Sequence, residues 1–181
     1  KKKINIKKYL NIINDNFKSI YSFDISKELI IDWSRITRKF KQDIYISSSH
    51  GDFTHKNLIK QKNNYFMIDF EFFSKKRIYL YDSIHWLIPP LLKRTNNFLM
   101  RNINFSFLFI FYLKMFYMLI GYDISKNQVK VNLTLYFLEQ KFFYKLPNIL
   151  TKEKKLLSQK RIKESKYLSR IYSRQLNYLL K

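Results

Sequence analysis

The run Ser49-His50-Gly51-Asp52-Phe53-Thr54-His55-Lys56-Asn57, followed by Ile68-Asp69-Phe70-Glu71, constrains this 181-residue chain more than any other feature. Between the two, Leu58-Ile59-Lys60-Gln61 and Tyr65-Phe66-Met67-Ile68 flank Lys62-Asn63-Asn64, which predicts two short strands around a three-residue turn. Asn tolerates the left-handed backbone such a turn requires. Pairing Gln61 with Tyr65 sets Asn57 opposite Asp69 at the open end of the hairpin, with Asp52 one loop away. Oxygen donors from one Asn and one Asp, completed by water and phosphate oxygens, suit magnesium. The pattern therefore points to chemistry on phosphate, where the protein's task is positioning and charge neutralisation.

The Asp52 to Asn57 interval matches the D-x-x-x-x-N of a kinase catalytic loop. With His50, Gly51, Asp52, Asn57, Ile68, Asp69 and Phe70 in order, the chain resembles the aminoglycoside phosphotransferase and choline kinase group, whose pattern is H-G-D, a few residues, N, a hairpin, then I-D-[FW]. The wording His-Gly-Asp-Phe-Thr, with Tyr81-Asp82-Ser83-Ile84-His85-Trp86-Leu87, is most similar to phosphotransferase-like proteins encoded with bacterial surface-polysaccharide genes. The matching stretch runs from about residue 46 to residue 88.

The resemblance implies a protein-kinase-like fold, ATP as phosphoryl donor and Mg2+ as cofactor. It makes Asp52 the catalytic base and Asn57 and Asp69 the metal ligands. It also implies that His50 hydrogen-bonds backbone around Asp69 and that Asp82 braces the catalytic loop from beneath. Two departures stand out. His55-Lys56 replaces the Pro followed by Gly or Trp of many relatives, and the catalytic loop begins after 49 residues, too few for a nucleotide-binding lobe. Gly51 and Gly121 are the two glycines, so no glycine-rich phosphate loop is present. The expectation is the C-terminal lobe of a longer kinase, or a remnant of one.

Each candidate also has a structural reading. Asp52 can cap a loop, and Asn57 and Asp69 can terminate the hairpin. Glu71 either assists a second metal or pairs with a basic neighbour. Asp82 suits the N-cap of a helix starting at Ser83. Lys56, with His55, either contacts substrate phosphate and lowers the pKa of Asp52 or is a solvated loop charge. His85 and Trp86 sit on an apolar helix and are expected in the core or an interface.

A formal charge of +22 suggests a polyanionic partner. It is discounted as a sign of nucleic-acid binding. Lys outnumbers Arg 27 to 8, alanine is absent, and Asn, Ile, Phe and Tyr abound, as in AT-rich coding sequence. An anionic substrate or membrane surface remains the alternative. Of 13 acidic residues, Asp52, Asp69, Glu71 and Asp82 fall within 31 positions, which benefits a metal site and not a nucleic-acid binder. The absence of cysteine excludes disulfides and thiolate metal sites.

The expected fold class is α+β, mostly helical, one domain over 1–181. Residues 1–43 are read as helices on the periodicity of Ile6, Tyr9, Leu10, Ile13 and Phe17, then of Leu29, Ile30, Trp33, Ile36 and Phe40. A short strand at 44–46 opens the 44–71 catalytic region. Residues 72–181 are read as helical, at 83–92, 103–120, 126–145 and 151–180, with breaks at Pro89-Pro90, Gly121-Tyr122-Asp123 and Pro147-Asn148. The apolar run 105–120 is too short to span a bilayer and carries Lys114, a charge costing about 3 kcal/mol at the centre of an inserted helix. A central core helix is expected there. Together these readings predict a cytoplasmic phosphotransferase, peripheral to the inner membrane face at most, that acts on a sugar-like hydroxyl acceptor. An inactive binding module and a basic surface-binding protein are the alternatives.

Overall fold

The computed structural model describes residues 1–21, 25–94, 104–146 and 159–181. They form an α+β structure, mostly helical, in two compact units, Lys1–Asn96 and Asn97–Lys181.

In the first unit, β1 (Lys2–Asn5) leads into α1 (Ile6–Tyr21) and α2 (Ser26–Lys39). Then come β2 (Asp43–Ser49), the hairpin strands β3 (Leu58–Gln61) and β4 (Asn64–Met67), β5 (Ser74–Ile78) and α3 (Tyr81–Arg94). Strands β1, β2 and β5 make an antiparallel sheet in that order. The periodic residues Ile6, Tyr9, Leu10, Ile13 and Phe17 are all buried, as are Leu29 and Ile36, each contributing about 1.5 to 3 kcal/mol where fully shielded. Ile30 does not follow them and faces solvent. Polar groups fix α1 to β5: the Tyr9 hydroxyl accepts from the Ile78 amide at 2.9 Å, and Ser74 Oγ donates to Asn16 Oδ1 at 3.1 Å.

Several expectations need correction. Residues 1–43 begin with a strand, the strand expected at 44–46 extends over 43–49, and the region read as helical beyond 72 contains β5. Both missed strands lie at sheet edges and are rich in Lys, which blunts an edge against intermolecular pairing and also hides its alternation. Helix α3 starts at Tyr81, so Asp82 lies in its first turn and is not its N-cap, and Pro89 and Pro90 lie inside the helix.

The hairpin register also differs by one residue. Gln61 pairs with Asn64 and Leu58 with Met67, leaving a two-residue connection in which Lys62 takes the positive φ of 55°. Asn57 therefore pairs with Ile68, whose amide donates to its carbonyl at 3.0 Å. Asp69 comes one residue later.

The second unit holds α4 (Ser106–Leu119), α5 (Lys126–Phe143) and α6 (Gln159–Leu180). Ser125 caps α5 by accepting from the Gln128 amide at 3.1 Å, and Gly121 supplies a φ of 78° in the turn before it. The core helix is α5 and not α4. From Val131 to Gln140 every residue of α5 is buried, whereas α4 buries Phe109, Ile110, Leu113 and Tyr117 and exposes the rest of its apolar surface. Hydropathy measures how apolar a helix is and cannot show how many faces its neighbours cover. The break at Pro147-Asn148 lies outside the described residues. Among those described, no helix is long and apolar enough to cross a membrane.

Candidate active site

The loop after β2 is fixed from three sides. A register shift between Ser47 and Ser49 bends the end of β2, as bulges do where a side chain must be re-aimed. Directly after it, the Asp82 carboxylate accepts from Ser49 Oγ at 2.8 Å, the His50 amide at 2.8 Å and the Gly51 amide at 3.0 Å. One acidic side chain in the first turn of α3 thus satisfies three successive donors of the loop.

The second tie runs to the hairpin. His50 Nε2 lies 2.8 Å from the Ile68 carbonyl, which can only accept, so the proton sits on Nε2. The His50 ring is buried and packs against Phe70 at 4.6 Å. The third tie is steric. Gly51 has φ of 90°, and a Cβ there would stand 2.1 Å from Arg77 Nη1 and 2.2 Å from the Phe72 carbonyl oxygen. Glycine is required by the conformation and by the closeness of β5 and the turn before it.

Asp52 projects from this braced loop. Its Oδ1 lies 3.2 Å from His85 Nε2, and its Oδ2 accepts from Asn57 Nδ2 at 3.2 Å. The same Nδ2 donates to the Asp52 carbonyl at 2.8 Å. Hydrogen bonding from His85 holds the Asp52 carboxyl below its ordinary value. Partial burial opposes this, and the charge of His85, the Asn57 amide and the charge of His50 add to the lowering. Asp52 is therefore a carboxylate at neutral pH, partly exposed and oriented by two neighbours.

Asn57 is buried at the end of the single 3-10 turn His55–Asn57. With Nδ2 committed to Asp52, its Oδ1 is the group able to face a cation. Asp69 follows the hairpin partner of Asn57 directly, is exposed, and has φ 62° and ψ 63°. Asp is among the few residue types other than glycine that are enriched in this left-handed conformation.

The structure thus joins His50, Asp52, Asn57 and Asp82 through hydrogen bonds, and Asp69 through the backbone. It does not bring in the others. The side chains of His55, Lys56 and Glu71 are exposed, with no hydrogen bond or ion pair to another described residue. His85 is buried, in keeping with the expected core position, and its hydrogen bond to Asp52 is the feature the sequence reading missed. Its signal lay in spacing: once Asp82 braces the loop, the residue three positions later shares its helix face. Trp86, expected in the core or an interface, is 37 % exposed, with its ring 5.2 Å from that of Phe53.

The donor set suits a hard cation. Asn57 Oδ1 and the Asp69 carboxylate are oxygen donors on neighbouring stretches of backbone, and magnesium accepts such donors together with waters and phosphate oxygens. Among the described residues no group of three or more His, Cys, Asp or Glu is placed to hold a metal ion. Comparison with protein-family models, with curated proteins and with solved structures finds no match for the chain.

Proposed function

We propose that the chain carries the acceptor-activating and metal-binding part of a small-molecule kinase that transfers the γ-phosphoryl group of ATP to a hydroxyl, of the sugar type found in surface polysaccharide. The observation that supports this most is the Asp52 carboxylate held ionised between His85 and Asn57, with Asp69 next to the hairpin partner of Asn57.

In this reading Asp52 accepts a hydrogen bond from the acceptor hydroxyl and aligns its oxygen with the phosphorus. As the new O–P bond forms and the bond to the ADP oxygen breaks, the hydroxyl proton passes to the Asp52 carboxylate. A carboxylate of lowered pKa is a weak base, so its main contribution is orientation, with proton transfer late. His85 and Asn57 fix the carboxylate, and Asp82 and His50 fix the loop that presents it. Asn57 and Asp69 would hold magnesium, which would neutralise charge on the phosphate oxygens. ATP chemistry assigns the reaction to the cytoplasmic side.

A second reading, a phosphate- or metal-binding module without turnover, rests on composition. With Gly51 and Gly121 as the two glycines, the chain itself has no glycine-rich loop to clamp a nucleotide.

The test is ADP release from magnesium-ATP by the full natural polypeptide, offered a panel of sugars and sugar phosphates. Asp52→Asn is expected to lower kcat by about 10²- to 10⁴-fold with nucleotide affinity retained. Asp69→Asn is expected to weaken magnesium-dependent nucleotide binding as well. Turnover unchanged in both variants overturns the kinase reading, and nucleotide binding without turnover on any acceptor favours the second.

A further inference from the structure

Helix α4 is apolar on both its buried and its exposed face. Phe109, Ile110, Leu113 and Tyr117 are buried in the second unit, while Leu108, Phe111, Tyr112, Met115, Met118 and Leu119 recur at helical spacing on the outer side. These outer residues are 44 % to 81 % exposed. Contiguous exposed apolar surface of this extent is rare on a solvated monomer and marks an interaction face.

The surrounding charge selects the occupant. Lys114 flanks the stripe, and Lys126 lies over the Phe107 ring, 5.7 Å from its centre. Residues 97–181 carry sixteen Lys and Arg against four Asp and Glu. A second copy of the chain would bring a like-charged surface to this face, which like-charge repulsion opposes. An anionic bilayer offers both components at once, acyl chains for the aromatic and Met side chains and phosphates for the lysines. Helix α4 has 14 residues and is about 21 Å long, short of the hydrocarbon thickness of about 30 Å, so it can lie in the interface but not cross it.

We infer that the outer stripe of α4 is a docking face for an anionic lipid surface. The helix lies parallel to the membrane plane, with Leu108, Phe111, Met115 and Met118 below the headgroups and Lys114 and Lys126 among the phosphates. Lysine stems suit this placement because they follow apolar surface while the ammonium group stays hydrated. The inference does not depend on the phosphotransfer reading.

The experiment is co-sedimentation of the intact protein with vesicles of phosphatidylcholine alone or with about one third phosphatidylglycerol, at near-physiological salt. Binding is expected to the anionic vesicles and to fall at least fivefold in the triple variant Phe111→Ser, Met115→Ser, Met118→Ser, with far-UV circular dichroism unchanged. Should that variant misfold, Lys114→Glu serves instead, expected to reduce binding severalfold and leave the stripe intact. Three results overturn the proposal. They are no binding by the wild type, equal binding by a folded variant (general charge alone), and a wild-type dimer that ignores vesicles and that the triple variant dissociates.

Discussion

At the residue scale, the site turns on how Asp52 is held. Because its folded pKa is depressed, Asp52 is ionised above the ordinary aspartate value of 3.8, and its stabilising contribution is lost only as pH falls through the lowered value. His85 is the largest cause of that lowering. His85→Ala should therefore raise the Asp52 titration toward its ordinary value, since burial then acts with less opposition, and on the proposed kinase reading should shift the acid limb of kcat/KM in the same direction. Carboxyl 13C NMR titration reads this without requiring turnover, and an unmoved Asp52 would show that His85 is only a packing residue. Gly51 makes a second, steric prediction. Gly51→Ala places a methyl group against the Phe72 carbonyl oxygen at 2.2 Å, where backbone must give way, so a loss of about 3 kcal/mol or more is expected in urea denaturation. That His50, Asp52, Asn57 and Asp82 meet was legible in the sequence because their order and spacing place them around one loop and hairpin. The role of His85 was not, since an isolated His on an apolar helix reads equally well as core.

At the scale of elements, loop and helix are joined through one carboxylate. Asp82→Ala leaves the Ser49 hydroxyl and the His50 and Gly51 amides without their acceptor, which should cost about 2 to 4 kcal/mol. Ser49→Ala, which removes one donor and strands none, should cost about 1 kcal/mol or less. Equal losses in the two variants, measured by chemical denaturation, would refute the assignment of Asp82 as the brace. Helices were read well from sequence where one face is buried, as in α1, because periodicity records a single boundary between core and water. The hairpin was found but its register was not. Asn63 and Asn64 both suit a left-handed position, yet Lys62 adopts it, so residue preference chose the wrong turn length. Strands β1 and β5 escaped because they are only four and five residues long, rich in Lys, and their buried positions do not alternate.

Across the whole molecule the dominant quantity is charge. A net +22 over 181 residues comes from 35 Lys and Arg against 13 Asp and Glu, so most cationic side chains have no acidic residue to match them, and the pair of Lys3 with Asp43 at 3.5 Å is exposed. Composition made this legible and explains why it says so little about fold: net charge governs solubility, association and self-repulsion, while the placement of apolar residues determines which helices form the core. The consequence is testable. Compaction brings like charges closer than they are in the unfolded chain, so the folded state carries the larger electrostatic penalty. Salt at about 0.1 M screens charges beyond about 10 Å, and exposed lysines are the groups it screens best. Thermal stability should therefore rise with sodium chloride, by several degrees between about 0.02 M and 0.3 M, and most of the gain should come below about 0.15 M, where the screening length changes fastest. A chain stabilised mainly by surface ion pairs would do the opposite. Differential scanning fluorimetry across that series separates the two: a Tm that falls with salt would mean that attractive pairs outweigh repulsion in the folded state despite the net charge.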